Sequence, residues 1–267
     1  MRAFLDDTAQ IIGPFFKFHQ EVKGRSEREK QIARFVLDKA ELIYEKGKKI
    51  GGVRYLNPIE AFLQHLVYLA KYSKGEEGSK KANGGSAEFP PEELELRQSI
   101  VDFGNRLVSE GLVQGTWGNL SARLNDWEIL VTPSGIDYAR LTPQDIMKVD
   151  VNTLEFVPNG DLHPTSEKSL HAAIYRNRAD VQGIVHTHAS YCCVYAACEK
   201  DLGSEAKCAK YAFSGSKKLA ANTAAALGSN IGAIMAHHGM VACGASLEEA
   251  FSNAKYLEET AKNNLSD

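Results

Sequence analysis

The chain has 267 residues and a mass of 29.3 kDa, a length that suggests one or two domains. Apolar residues make up 43% and charged residues 24%, near the average for soluble globular chains, which excludes a wholly disordered or collagen-like protein. The net charge of -3, from 31 basic and 34 acidic residues, lacks the basic excess that is typical of nucleic-acid-binding proteins.

Neither a membrane span nor a secretory signal is expected. No apolar run approaches the roughly 20 residues of a membrane-spanning helix, and the N-terminus has no long apolar stretch. Five cysteines, an odd number without CxxC spacing, favour reduced thiols over disulfides. We therefore expect a cytoplasmic protein that has neither a nucleic-acid nor a membrane partner.

Residues 1–72 are predicted to form a helical extension. Over 27–46 an apolar face recurs at helical spacing and is formed by Ile32, Phe35, Val36 and Ile43. Asn57 and Pro58 have the form of a second helix start, because Asn caps well and Pro is tolerated at the first helical position. The extension carries no chemical motif. A flexible linker is predicted over 73–91, since 73–88 contain Gly, Ser, Lys and Glu with almost nothing apolar.

Helices and strands alternate from residue 92 onward, which predicts a single α/β domain over 92–267. Helices are expected over 92–109, around 165–177, over 216–227, and from a capping box formed by Ser246 and Glu249. Strands are expected over 119–123, 128–132, 146–151, 181–188 and 231–236. Because many connections are short and hairpin-like, we expect a central mixed, largely antiparallel sheet flanked by helices.

Histidines fall at the ends of two predicted strands. His186 and His188 alternate along one strand, so their side chains should share a face. His237 and His238 end a second strand and precede Gly239, which lets the backbone turn. Adjacent strand residues face opposite sides, so only one of His237 and His238 should join the first pair. Three imidazoles with an open position are a catalytic zinc arrangement, although buried structural histidines are the alternative.

Polar groups accompany these histidines. Glu167 is predicted in the first turn of a helix capped by Thr165 or Ser166, where an acid complements the helix dipole or serves as a base or metal neighbour. Three turns offer hydroxyl, amide and backbone N–H groups that can hold a phosphate. These turns contain Gly118 and Asn119, Ser134 and Gly135, and Thr165 and Ser166.

This order of motifs resembles the class II aldolase/adducin family, whose members include zinc-dependent fuculose-phosphate and rhamnulose-phosphate aldolases and ribulose-phosphate 4-epimerase. The resemblance covers about residues 92–262 and rests on Gly118-Asn119-Leu120-Ser121, Thr132-Pro133-Ser134-Gly135, Thr165-Ser166-Glu167, His186-Thr187-His188 and His238-Gly239. It implies one zinc ion per chain held by His186, His188 and His238, and an acid/base role for Glu167. It also implies that the substrate phosphate is bound by Gly118, Asn119, Ser134, Gly135, Thr165 and Ser166.

The resemblance implies an aldolase that cleaves a ketose 1-phosphate to dihydroxyacetone phosphate and a short aldehyde, working as a homotetramer. The alternatives are a related epimerase, dehydratase or decarboxylase on the same zinc site, and a non-catalytic adducin-like interaction domain. The segment between His188 and His238 is shorter than is usual in the family, where the aldolases carry a catalytic tyrosine. Three tyrosines lie nearby without a match to that role: Tyr191, Tyr195 and Tyr211.

Overall fold

A computed structural model describes residues 89–113 and 116–266, together with positions 38, 39, 42, 43, 45–47, 49 and 50. The predicted second helix start at Asn57 and the predicted linker over 73–88 lie outside the described residues. So does most of the extension over 1–72, although its described positions between 38 and 49 are helical.

A seven-stranded mixed sheet forms the centre of the domain. Its strands are β1 Gly118–Arg123, β2 Glu128–Val131, β3 Met147–Asp150, β4 Gly183–Thr187, β5 Ala206–Ala209, β6 Gly232–Met235 and β7 Gly239–Gly244. They lie in the order β3-β2-β1-β4-β7-β6-β5. Only β5 and β6 run parallel, and every other neighbouring pair is antiparallel. This confirms the predicted mixed, largely antiparallel sheet.

Within residues 89–113 and 116–266, five α-helices cover the two faces of this sheet. They are α1 Pro91–Ser109, α2 Lys168–Asn177, α3 Ser190–Ala197, α4 Lys217–Leu227 and α5 Leu247–Asn264. Among the residues that the structure describes, none of the helices has both the length and the apolarity needed to cross a bilayer.

Two hydrophobic clusters fill the space between the helices and the sheet. Alternate residues of β2 belong to different clusters, since Leu130 lies in one, and Ile129 and Val131 lie in the other. The first cluster includes apolar side chains of α1, α3 and α5, and the second includes those of α2 and α4. The fold is therefore three layers deep, with the sheet in the middle. Ile43 of the N-terminal extension is fully buried in the first cluster.

The chain itself covers both edges of the sheet. Residues 154–157 fold back along β3, where the N–H of Val157 donates to the carbonyl of Lys148 at 3.2 Å. At the opposite edge, the N–H of Cys208 in β5 donates to the carboxylate of Asp201 at 2.7 Å. Both outer strands thus have backbone groups occupied by their own chain.

Candidate functional site

The end of β4 and the turn that joins β6 to β7 bring three imidazoles together. His186 lies in β4, His188 directly follows that strand, and His238 lies in the turn. They meet because β4 and β7 pair with each other, with Thr187 opposite Met240. One ligand nitrogen from each of the three imidazoles lies within 4.8 Å of the others.

These imidazoles are buried and oriented for a cation. Nδ1 of His186 donates to the carbonyl of Met240, 2.8 Å away, which leaves Nε2 directed at the cluster. Nε2 of His186 lies 3.0 Å from Nε2 of His188. Tetrahedral zinc bound to imidazoles at about 2.0–2.1 Å brings the ligand nitrogens to a separation near this value, roughly 3.3 Å. The three side chains are therefore a chemically suitable zinc ligand set.

Glu167 faces the same cluster from the start of α2. Its Oε2 lies 3.1 Å from Nε2 of His186, and its Oε1 lies 3.1 Å from Nε2 of His238. The prediction of its helical position was wrong by one residue. The helix begins at Lys168, so Glu167 occupies the N-cap position instead of the first turn. The reason is a local turn in which the N–H of Glu167 donates to Oγ1 of Thr165 at 3.3 Å.

Two neutral donors hold the Glu167 carboxylate. Nδ2 of Asn119 donates to Oε2 at 3.0 Å, and Oγ of Ser214 donates to Oε1 at 3.3 Å. Burial alone would raise the pKa of Glu167. The neighbouring His238 and His186 and the Asn119 amide outweigh burial and lower that pKa to about 2. The carboxylate is therefore ionised.

Behind Asn119 lies a row of buried polar side chains. Oδ1 of Asn119 lies 2.5 Å from Nε2 of His171, and Nδ1 of His171 lies 2.6 Å from Oγ of Ser121. Oγ of Ser121 is 3.0 Å from the hydroxyl of Tyr175. The Glu167 carboxylate is thus connected by hydrogen bonds to the interior of the domain.

The residues predicted to bind phosphate do not share one environment. Ser134, Gly135 and Ser166 are exposed on two adjacent turns, held together by the N–H of Ser134, which donates to the carbonyl of His163 at 2.9 Å. Thr165 is buried on the second of these turns.

Gly118 and Asn119 lie further inside, at the start of β1. Gly118 has a φ of 125°, and a Cβ at this position would lie 2.7 Å from the carbonyl oxygen of His186, so the close backbone approach requires glycine. The amide of Asn119 is already bonded at both ends, to Glu167 and to His171.

His237 lies apart from the histidine cluster, although not for the predicted reason. The predicted strand over 231–236 is shorter, since β6 ends at Met235, and His237 has a left-handed φ of 54° in the turn that follows. Its Nε2 lies 2.6 Å from Oε1 of Glu199. The backbone turn, not strand alternation, directs His237 away from the other three histidines.

Two other residues at this site carry no local sequence signal. Ser214 was not predicted, because only the fold places it beside Glu167. Lys39 of the N-terminal extension is buried, and its Nζ donates to the backbone carbonyl of His188 and lies 3.8 Å from Sγ of Cys193. Its partners lie about 150 residues away in the chain, at separations that no local pattern reveals.

Comparison with known proteins places this geometry in context. Residues 98–265 match the family described as "Class II Aldolase and Adducin N-terminal domain". An L-fuculose phosphate aldolase of Escherichia coli is 34% identical over 182 residues, which cover 64% of this chain and 83% of that protein. A 3-oxo-tetronate 4-phosphate decarboxylase of Escherichia coli is 31% identical over 192 residues, which cover 66% of this chain and 89% of that protein.

The fold has solved counterparts as well. The structure of an L-fuculose 1-phosphate aldolase superposes with a TM-score of 0.61 and 31% identity, covering 67% of this chain and 87% of that chain.

Proposed function

Because the chain belongs to the class II aldolase and adducin family, we propose that it is a zinc-dependent lyase that cleaves a ketose 1-phosphate to dihydroxyacetone phosphate and a short aldehyde. One observation carries the proposal. A buried, ionised carboxylate lies 3.1 Å from two members of a three-histidine cluster. This combination provides a cation site and a proton acceptor at the same point, which suits carbon–carbon bond chemistry next to a carbonyl.

In this proposal, His186, His188 and His238 hold one zinc ion per chain. When bound, zinc supplies Lewis-acid stabilisation of the negative charge that develops on substrate oxygens. In the synthetic direction, the Glu167 carboxylate removes a proton from the dihydroxyacetone phosphate carbon that forms the new bond. In the cleavage direction, the hydroxyl group beside the breaking bond gives its proton to the Glu167 carboxylate and becomes the aldehyde oxygen. The electron pair of the broken bond stays on the dihydroxyacetone phosphate carbon, and Glu167 passes the proton to that carbon.

The phosphate is assigned to the turns beside this cluster. Ser134, Gly135 and Ser166 are exposed there, with Thr165 beside them and Gly118 and Asn119 at the start of β1. Hydroxyl and backbone N–H groups of such turns bind phosphate oxygens and would fix the non-reacting end of the substrate. We assign the chemistry to a domain over 92–267, preceded by a linker over 73–91 and the helical extension over 1–72, in a cytoplasmic homotetramer.

The test is a screen of ketose 1-phosphates with the purified full chain, after zinc has been measured by mass spectrometry. Release of dihydroxyacetone phosphate is monitored through its enzymatic reduction in a coupled assay. We expect release from at least one sugar phosphate, and its loss after chelation. A fully zinc-loaded protein that releases dihydroxyacetone phosphate from none of them would contradict the proposal.

A decarboxylase is the second candidate, favoured by the similarity to 3-oxo-tetronate 4-phosphate decarboxylase. The same histidine cluster and phosphate turns would serve a 3-oxo acid phosphate, whose loss of carbon dioxide also leaves negative charge beside a carbonyl. Carbon dioxide release from a 3-oxo acid phosphate, without release of dihydroxyacetone phosphate from any ketose phosphate, would favour this candidate.

A further inference from the structure

We infer that Tyr138 and Thr132 are positioning residues for the phosphate site, because they hold the proposed phosphate-binding turns together where β1 and β2 part. The inference rests on the proposed function, since it assigns to these two side chains the task of keeping those turns ready for a phosphate group. Neither side chain needs to touch the substrate for this role.

The ladder between β1 and β2 stops just before the phosphate-binding turns. Its last bond runs from the N–H of Thr132, directly after β2, to the carbonyl of Leu120 at 3.0 Å. Two residues further along, the same antiparallel register would bring the N–H of Ser134 to the carbonyl of Gly118. The N–H of Ser134 instead donates to the carbonyl of His163 at 2.9 Å. The chain therefore turns away from β1 here, and the carbonyl of Gly118 needs another donor.

Tyr138 supplies that donor. Its hydroxyl donates to the carbonyl of Gly118 at 3.1 Å, and its ring is buried in the first hydrophobic cluster. The ring packs on α1 at Gly104, where a Cβ would lie 2.7 Å from Cε1 of the ring, so the ring needs a glycine at this helix position. Tyr138 follows Gly135 by three residues. Its hydroxyl therefore ties the turn that ends at Gly135 to the start of β1.

Thr132 makes the second link. Its Oγ1 accepts the backbone N–H of Leu120 at 3.2 Å, while its carbonyl accepts the N–H of Thr165 at 3.0 Å. The Thr132 side chain is also a hydrogen-bonding neighbour of the Tyr138 hydroxyl. Thr132 and Tyr138 are both buried, where such bonds are stronger than in water. The start of β1, the turn at Ser134 and the turn at Thr165 are thus fixed to one another.

A site held in this way is preorganised for its ligand. A phosphate that contacts several turns binds tightly only if the turns already have the right spacing, because ordering them on binding would lower the affinity. Without the Tyr138 hydroxyl, the buried carbonyl of Gly118 would lose its donor, and the backbone there would move to find another. We therefore expect weaker binding of phosphorylated compounds, with the zinc site intact.

The test is calorimetric titration of the zinc-loaded full chain with dihydroxyacetone phosphate and with dihydroxyacetone. The preference for the phosphorylated compound is the Kd of dihydroxyacetone divided by that of dihydroxyacetone phosphate. Tyr138→Phe and Thr132→Val each remove a hydroxyl and keep the shape of the side chain, and Thr132→Ser restores the hydroxyl. The preference should fall about tenfold in Tyr138→Phe and Thr132→Val and stay within about threefold of wild type in Thr132→Ser, with unchanged zinc content.

Tyr256→Phe is the control, because Tyr256 is 47% exposed on α5 and its hydroxyl has no part in the inferred links. It should match wild type with both compounds. In turnover assays on a ketose 1-phosphate, Tyr138→Phe and Thr132→Val should raise KM about tenfold and leave kcat within about threefold of wild type. If Tyr138→Phe did not fold, Thr132→Val and Thr132→Ser would decide by the same measurements.

An unchanged preference in folded Tyr138→Phe and Thr132→Val would overturn the inference alone. Equal weakening of both compounds, or a loss of zinc, would indicate a general loosening of the fold and would also overturn it. A wild type without preference for the phosphorylated compound would contradict the proposed phosphate site and the inference with it. A preference that falls as expected, in a protein that cleaves no ketose phosphate, would support the inference and contradict the proposed lyase.

Discussion

At the residue scale, the least ambiguous variant is Glu167→Gln. Glutamine keeps the shape, and it can accept from Asn119 through its oxygen and donate to Oγ of Ser214 through its amide nitrogen, but it cannot take a proton. We expect the variant to fold and to bind zinc while turnover falls by about 10²–10⁴-fold, the range of a well-placed acid/base group. The measurement is steady-state turnover of zinc-loaded protein on the substrate that the screen identifies.

The matched control is Glu248→Gln. Glu248 also lies near a helix start, in the first turn of α5, but its side chain is 70% exposed and pairs with Arg106. It should alter stability by no more than about 1 kcal/mol and leave turnover intact. If the two variants behaved alike, Glu167 would be only a complement to the helix dipole, and the base would have to be sought elsewhere.

A second residue-scale prediction separates His238 from its neighbour. Asparagine tolerates the left-handed backbone of His237, so His237→Asn removes the imidazole without straining the turn. We expect His237→Asn to keep one zinc per chain. His238→Asn should weaken zinc binding beyond the roughly 10–100-fold typical of losing an outer-shell partner. Competition with a chromophoric chelator measures both affinities, and the reverse ranking would exchange the two assignments.

Short-range patterns in the sequence were sufficient to predict which charged and imidazole groups converge. Strand alternation relates His186 to His188, and a glycine turn accounts for the position of His238. The Asn119–His171 bond and the contact of Ser214 with Glu167 depend on the register of distant elements, with separations of 52 and 47 residues. The periodicity of apolar residues in the sequence does not predict which residues of distant elements lie opposite each other. The roles of all these residues stay predictions.

At the scale of elements, three segments were not predicted for identifiable reasons. The eight residues of α3 are almost all buried, so they lack the alternation of polar and apolar faces that indicates a helix. β5 has only four residues, and β7 follows β6 after a three-residue turn without a distinct boundary in the sequence. The Ser246 cap of α5 was predicted from its spacing, but Glu249 bonds the N–H of Ala245 instead of completing the capping box.

The N-terminal extension gives a prediction at this scale. Lys39 bonds the backbone carbonyl of His188, a proposed zinc ligand, so Lys39→Met should loosen that segment and weaken zinc binding by roughly tenfold. Lys49→Met is the control, because Lys49 lies on the same extension but bonds the carbonyl of Leu265. Zinc affinities are compared by chelator competition. Equal affinities for Lys39→Met and Lys49→Met would show that the contact with His188 is dispensable.

At the scale of the whole molecule, zinc should stabilise the fold. A ligand that binds only the folded state, at a free concentration of 100 times its Kd, raises the free energy of unfolding by about 2.7 kcal/mol. For a chain of this size, that increase corresponds to a rise in Tm of roughly 5–10 °C. We expect chelation to lower the Tm of wild type by this amount. The His186→Ala/His188→Ala variant should show no such change, and full zinc occupancy in that variant would contradict the assigned ligands.

Assembly is the second prediction for the whole molecule. The proposed phosphate turns carry exposed groups, and closing such a site is a role that a neighbouring copy can fill. Light scattering of the full chain at micromolar concentration should give the mass of four copies. A monomer under these conditions would contradict both the tetramer and a site shared between copies.

The covered edges of the sheet have a consequence for self-association. Residues 154–157 occupy the outer side of β3, and the Asp201 carboxylate occupies an N–H of β5. An incoming strand would have to displace these groups, which disfavours strand addition at either edge, the step by which exposed edges start aggregation. Contacts between copies at these two described edges are then left to side chains. A concentrated solution should therefore accumulate discrete particles and not fibrils that bind thioflavin.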